Sequence, residues 1–223
     1  MCRPTPKTNF TKCLPIIILF FTALRILAGL RIPYMIQRYD DRMLFENAYD
    51  LLSGVWLGSY DAYALAKGIG YPMFLVLAKK LCLPYSVLLA LLQAVGAWLF
   101  VRALSVRWKN PYGQTLLYLL LLFSPISLTQ LVTQRLYRMA IVPGMVLVVF
   151  SGMIGLTLRK ELPLKKQLPW AVLTGMALAF FWQIREDSVW ILPFIAVMTV
   201  WNVGYGILAL HKKRTGRQLL LQC

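Results

Sequence analysis

Acidic side chains are scarce in this sequence. Against 24 Lys and Arg it has 8 Asp and Glu, with one histidine and four cysteines. Cys2, Cys13, Cys82 and Cys223 are spaced for neither a metal site nor a disulfide framework, so free thiols are expected. His211, at the end of the last apolar run, reads as an interface residue rather than a ligand. Polar sequence is also short: 14% of residues are charged and 59% are hydrophobic, with repeated apolar runs. A soluble domain has no need of such runs, whereas about 20 apolar residues cross a hydrocarbon core of roughly 30 Å. The formal charge of +16 would suit nucleic acid. Its basic residues sit between the apolar runs, however, where orientation signals lie, so the expected partner is the lipid bilayer and not nucleic acid.

The expected fold is all-α, a polytopic transmembrane helical bundle forming a single domain over residues 1–223. Six spans are read at 14–30, 86–104, 115–132, 139–158, 168–184 and 189–210, with an extracytoplasmic loop at 31–85 carrying amphipathic surface helices. The first run is long enough to span and more spans follow, which favours a span over a cleaved signal peptide. Arg25 inside it is expected to snorkel to the interface; the alternative is a charge reaching into an intramembrane pocket. The short segment Tyr71–Leu81 is expected to lie on the outer surface. The head, the 102–109 and 159–166 loops and the tail carry fourteen Lys and Arg and a single acid, Glu161. Nine bases, Lys79 and Lys80 included, and the other seven acids fall on the opposite side. The positive-inside rule then places both termini in the cytoplasm of a multi-pass plasma-membrane protein.

Residues 38–72 are the one long polar interval and hold Asp40, Asp41, Glu46, Asp50 and Asp61. Arg42–Ser53 reads as an amphipathic helix with Phe45, Ala48 and Leu52 on one face and Gly54 as its stop. Asp40 or Asp41 can serve as its N-cap, which leaves the other carboxylate free. Trp56, Tyr60, Tyr63 and Tyr71 read as interface aromatics. Two further polar clusters fall on the same side: Arg135, Tyr137 and Arg138, then Arg185, Glu186 and Asp187. Arginine forks match phosphate oxygens, and a neighbouring carboxylate can take a proton from an attacking hydroxyl or hold a divalent metal ion against a diphosphate. The same arginines also suit lipid headgroups, and Arg185-Glu186-Asp187 could be a self-satisfied ion cluster.

In this interval the chain resembles the integral-membrane glycosyltransferases of the GT-C fold, such as protein O-mannosyltransferases and bacterial lipid A aminoarabinose transferases. Asp40-Asp41 stand at the family's acidic pair, Glu46 and Ala48 in the following helix. Leu52-Ser53-Gly54-Val55-Trp56 stands at its Gly-x-Trp ending, and Lys67-Gly68-Ile69-Gly70-Tyr71-Pro72 at its lysine turn. The second acid is Asp where Glu is commoner, and Gly-Ile-Gly replaces Pro-Pro. The chain thus looks like a divergent member, with fewer spans than is usual and therefore truncated or minimal.

The resemblance implies transfer of a sugar from a polyprenyl-phosphate-linked donor on the extracytoplasmic face. Asp40 would be the general base, Asp41 would orient the acceptor or help hold a metal, and Lys67 would contact phosphate. Arg135, Arg138 and Arg185 are assigned to the donor phosphate on chemistry and sidedness alone, with Tyr137, Glu186 and Asp187 beside them. Two other readings stay open: a non-catalytic scaffold or degenerate subunit that binds the donor or a partner subunit, and a transporter or flippase. Transporters place ionisable groups near the midplane, which disfavours the last.

Overall fold

A computed structural model describes residues 9–30, 33–56, 67–129, 132, 134–185 and 188–220. The described residues form eight α-helices. In chain order they are α1 (Asn9–Gly29), α2 (Asp40–Ser53), α3 (Gly70–Lys80), α4 (Tyr85–Leu104), α5 (Pro111–Leu122), α6 (Val142–Leu158), α7 (Leu164–Ile184) and α8 (Leu192–Leu220). Short 3₁₀ turns at Pro125–Leu128, Arg138–Ala140 and Ser188–Ile191 join or precede them. The only strand-like pairing among the described residues is an isolated parallel bridge between Met35 and Arg135.

Three stretches are long and apolar enough to cross a membrane: Tyr85–Leu104, Pro111–Leu128 and Ser188–Ile207. Cys13–Gly29 and Val142–Leu158 are apolar but shorter, and α7 opens with Lys165 and Lys166. The outward surfaces agree with an apolar surrounding. Leu19 on α1 and Val197, Val200 and Trp201 on α8 are each at least 64% exposed, and large apolar patches of this kind are ones that soluble monomers avoid.

α4 and α6 pack along much of their length, and α6 packs in turn on α7. Small residues allow the first crossing. A Cβ at Gly96 would stand 2.9 Å from the Gly144 carbonyl oxygen, so any side chain there would force the backbones apart. The main core runs from Leu44, Tyr71 and Phe74 through Ile141 and Val149 to Phe181 and Ile184. A second, smaller one joins α4 and α5 at Ala97, Tyr118 and Leu122, and Thr22 of α1 reaches it through a 2.7 Å hydroxyl contact with Tyr118.

Several helix limits differ from the sequence reading. α5 begins at Pro111, before the run read at 115–132, and stops at Leu122. Pro125, whose ring cannot continue the hydrogen-bond ladder, breaks the outer part of that run as its sequence implies, and the chain restarts there as a 3₁₀ turn. The last helix continues past the predicted end through the basic tail to Leu220. Arg25 does not snorkel. It is 6% exposed and donates through Nη2 to the Ser127 carbonyl at 3.0 Å. Cys13 and Cys82 are exposed and neither forms a disulfide among the described residues; Cys2 and Cys223 lie outside the described residues.

Two ends can be told apart. At one, Gly29 approaches the Ser86 backbone, Met35 pairs with Arg135, and Gly70 abuts Gln183. At the other, Arg159 donates to the Ala103 and Arg102 carbonyls at 3.1 and 2.8 Å and stacks on Trp170, while Asn202 bonds Thr157. Removal from water lowers the Arg159 pKa, and the neighbouring charge of Arg102 adds to that.

Candidate functional site

The first of these ends gathers the polar residues singled out in the sequence, and α2 organises it. The helix begins at Asp40 rather than Arg42, so both aspartates lie in its first turn, where the helix dipole favours negative charge. Neither caps it. The N-cap position is Tyr39, which makes no side-chain cap bond and sits at φ 71°. Such a left-handed conformation costs a tyrosine about 1–3 kcal/mol and persists only where its surroundings impose it. Here the imposing contact is Asp41, whose Oδ2 accepts the Gln37 amide N–H at 3.2 Å and folds the chain back across Tyr39.

Asp41 is fully buried, and its main partner is Arg135, 94 residues away. Arg135 donates from Nε to Oδ2 and from Nη2 to Oδ1, each at 2.8 Å. Two parallel charge-assisted bonds of this kind are strong and fix orientation. Donation to the Asp41 carboxylate, ahead of its charge, raises the Arg135 pKa. Backbone pairing reinforces the junction: Met35 N–H donates to Gln134 O at 2.7 Å, and Leu136 N–H to Met35 O at 3.1 Å. Arg135 also lies 4.3 Å from the Tyr137 ring centroid, and Arg138 5.7 Å from it on a second approach. Arg138 Nε donates to the Tyr137 hydroxyl at 3.3 Å. One ring thus aligns two guanidinium groups.

Asp40 has a different environment. Its side chain is 45% exposed, and its ion-pair partner among the described residues is Lys67 Nζ at 3.4 Å. Lys67 is held there because the next residues, Gly68-Ile69-Gly70, run against the end of α7. A Cβ on Gly70 would stand 2.9 Å from both the carbonyl carbon and the oxygen of Gln183. Glycine is needed for that contact, which gives a structural reason for the glycines at 68 and 70. Just beyond, Arg185 contacts Met139 Sδ, so the third cluster is linked to the second. Glu186 and Asp187 lie outside the described residues, as do Tyr60, Tyr63 and Asp61.

The face that α2 buries is Asp41, Leu44, Asn47 and Ala48; of the predicted Phe45, Ala48 and Leu52, Ala48 alone lies on it. Packing against α3 selects the Leu44 side, and Phe45, Tyr49, Leu52 and Trp56 remain exposed. Glu46 pairs with Arg42 at 2.7 Å across the solvent-facing surface, where such pairs contribute little. Tyr71 is no interface aromatic either. It is fully buried on α3, and its hydroxyl lies 2.7 Å from that of Tyr85 in a pair closed over by Tyr34 and Phe74. Burial first, then Tyr85 and the negative charge of Asp41, push the Tyr71 phenol well above its ordinary 10.0.

The Tyr71–Tyr85 pair, the Gln37 amide and the Gln183 carbonyl were not singled out from sequence. Backbone partners leave no trace in residue type. The Gly-x-Gly spacing at 68 and 70 was the one signal that a second chain segment passes close by. Among the described residues no three His, Cys, Asp or Glu converge as a metal site, and the described carboxylates nearest one another, Asp40 and Asp41, already face separate cations. Chemically, the site offers one accessible carboxylate beside an ammonium group, bordered by two aligned arginines. Comparison with protein-family models, with curated proteins and with solved structures finds no match to this chain.

Proposed function

We propose that the chain is a membrane-embedded glycosyltransferase of the GT-C type, moving a sugar from a polyprenyl-phosphate donor to an acceptor at the extracytoplasmic surface. The observation that carries this reading is the meeting of Asp40, Lys67, Arg135, Arg138 and Arg185 from three separate stretches at one end of the helices. The end bearing Arg102, Arg159, Lys160 and Glu161 would then face the cytoplasm, with six helices crossing the bilayer as a polytopic bundle.

In this reaction the acceptor oxygen attacks the anomeric carbon, the bond to the lipid phosphate breaks, and the phosphate leaves with its electron pair. Asp40 is the exposed carboxylate and would take the acceptor proton. Lys67, Arg135 and Arg138 would offset the charge of the departing phosphate, which supplies most of what such a leaving group needs. Asp41, with no exposed surface, cannot touch a substrate; its part is to hold Arg135 at the correct angle.

The test is sugar transfer by the full chain in nanodiscs supplied with polyprenyl-phosphate sugars, with donor binding followed by native mass spectrometry. Asp40→Asn should keep donor binding and lose transfer, while Arg138→Ala and Lys67→Ala should weaken binding. A wild-type chain that binds no such donor would overturn the proposal. A second reading has one observation in its favour: Asp40 and Asp41 both already have a cationic partner, as in a chain that binds the donor without turnover. Saturable binding with no transfer by the wild type would select it.

A further inference from the structure

Directly beneath the arginine segment, on the side of Val132 and Ala140, lies a cavity of about 20 Å³ between α1, α4, α6 and the 3₁₀ turn after α5. Its lining includes Arg25, Ser86, Gln93 and Ser127 among otherwise apolar or small residues. Arg25 dominates its chemistry. The side chain is 94% removed from solvent, since 6% remains exposed. One of its donors is used, Nη2 on the Ser127 carbonyl at 3.0 Å. Its Nε has no hydrogen-bond partner.

Two debts are therefore outstanding at one point: a buried N–H without an acceptor, and a buried cation without a counter-charge. No carboxylate lines the cavity among the described residues. The neighbouring polar groups cannot cancel the charge. Gln93 spends an amide N–H on the Leu121 carbonyl at 2.7 Å, and the Ser127 hydroxyl donates to Ser124 O at 2.8 Å. A water molecule would satisfy Nε and leave the charge standing. An anion satisfies both. The volume limits which one: about 10–15 Å³ of such space holds a single water-sized sphere. This cavity exceeds that slightly, which favours a compact anion over a phosphate or a carboxylate ligand.

We infer that Arg25 forms a buried site for one compact monovalent anion of halide size, framed by the Ser86 hydroxyl and the Gln93 amide. The bound ion completes the packing of α1 against α4 and α6 at the end where Arg135 and Arg138 sit, so its role is to lock these helices together. The inference does not depend on the transferase reading, because neither the donor nor turnover enters it.

The test uses the full chain in nanodiscs, titrated with sodium chloride or bromide against sodium gluconate at constant ionic strength. Thermal unfolding of the wild type should shift upward by on the order of 5 °C at saturating chloride. Chloride-35 line broadening should report the bound ion directly. Both effects should vanish in Arg25→Met, which keeps the volume and drops the charge. Ala140→Val, which fills the cavity and leaves the arginine in place, should also abolish them, and it serves if Arg25→Met does not fold. The inference is overturned by a wild type indifferent to halide in both measurements, or by an unchanged response in Ala140→Val.

Discussion

Arg135→Met is the most informative single substitution for the architecture of the site. It keeps the length and the apolar stem that lies on Tyr137 and removes only the charged fork. Asp41 would then be a fully buried carboxylate with one remaining donor, the Gln37 amide at 3.2 Å. Breaking a buried ion pair from one side costs about 3–5 kcal/mol, because the charge left behind has lost its partner. The Arg135 side chain is 25% exposed, so water can reach part of the vacated space, and the lower end applies. At this chain length each kcal/mol moves Tm by roughly 2–4 °C, which predicts a fall of about 6–12 °C. Asp41→Asn removes the opposite charge, and the double variant strands neither. Thermal unfolding of all four proteins in nanodiscs closes the cycle. The double variant should lose at least about 1.5 kcal/mol less than the two single losses added together. Additive losses, or a fall of under about 2 °C in Arg135→Met, would refute the claim that this pair joins the two segments.

Three other outcomes follow from the same geometry. Gly70→Ala drives a methyl group into the Gln183 carbonyl and should destabilise the fold by about 1–3 kcal/mol, read as a lower Tm. Gly54→Asn meets no neighbour and bears only the strain of its positive φ, which asparagine tolerates better than most residues, so it should cost less than Gly70→Ala. Tyr71→Phe leaves the Tyr85 hydroxyl buried without its partner and should cost about 1–3 kcal/mol at neutral pH. The Tyr71 phenol is raised in the folded protein above its ordinary 10.0. Its stabilising effect is therefore complete below pH 10 and is lost as pH rises toward the folded value, since the unfolded chain releases the proton first. Unfolding scans from pH 8 to 11 should show the wild type losing more stability above about pH 10 than Tyr71→Phe does; equal slopes would contradict the burial argument. Lys67→Ala breaks a partly exposed pair and should change stability by less than about 1 kcal/mol, so a larger drop in Tm would mean that Lys67 supports the fold and not only Asp40.

The helices were legible because long apolar runs have few other uses: each of the six runs overlaps a helix, and three stretches are long and apolar enough to cross a membrane. The polar interval was legible as a site because it was the exception in its own chain. What failed there was direction. From α2 alone, Phe45 and Leu52 make as good an inward face as Leu44 does, and only the position of α3 decides between them. Asp41 was read as one of two candidate N-caps because a local role is the default for a carboxylate at a helix start. Its true partner is 94 residues away, and one sequence holds no record of that pairing. Arg25 misled in the opposite sense: a long basic side chain near a helix end normally reaches for water, but α4 and α6 close over it first.

The Met35–Arg135 bridge and the approach of Gly70 to Gln183 also set a timetable for synthesis. No nascent chain shorter than about 185 residues can own this site, because its walls come from α2, the segment before α6 and the end of α7. Asp41 is made early and waits through most of elongation without the arginine that neutralises it. Until Arg135 arrives, the first polar interval has to stay where water can reach Asp41. The loop that carries the site is thus among the first polar parts made and among the last to be closed.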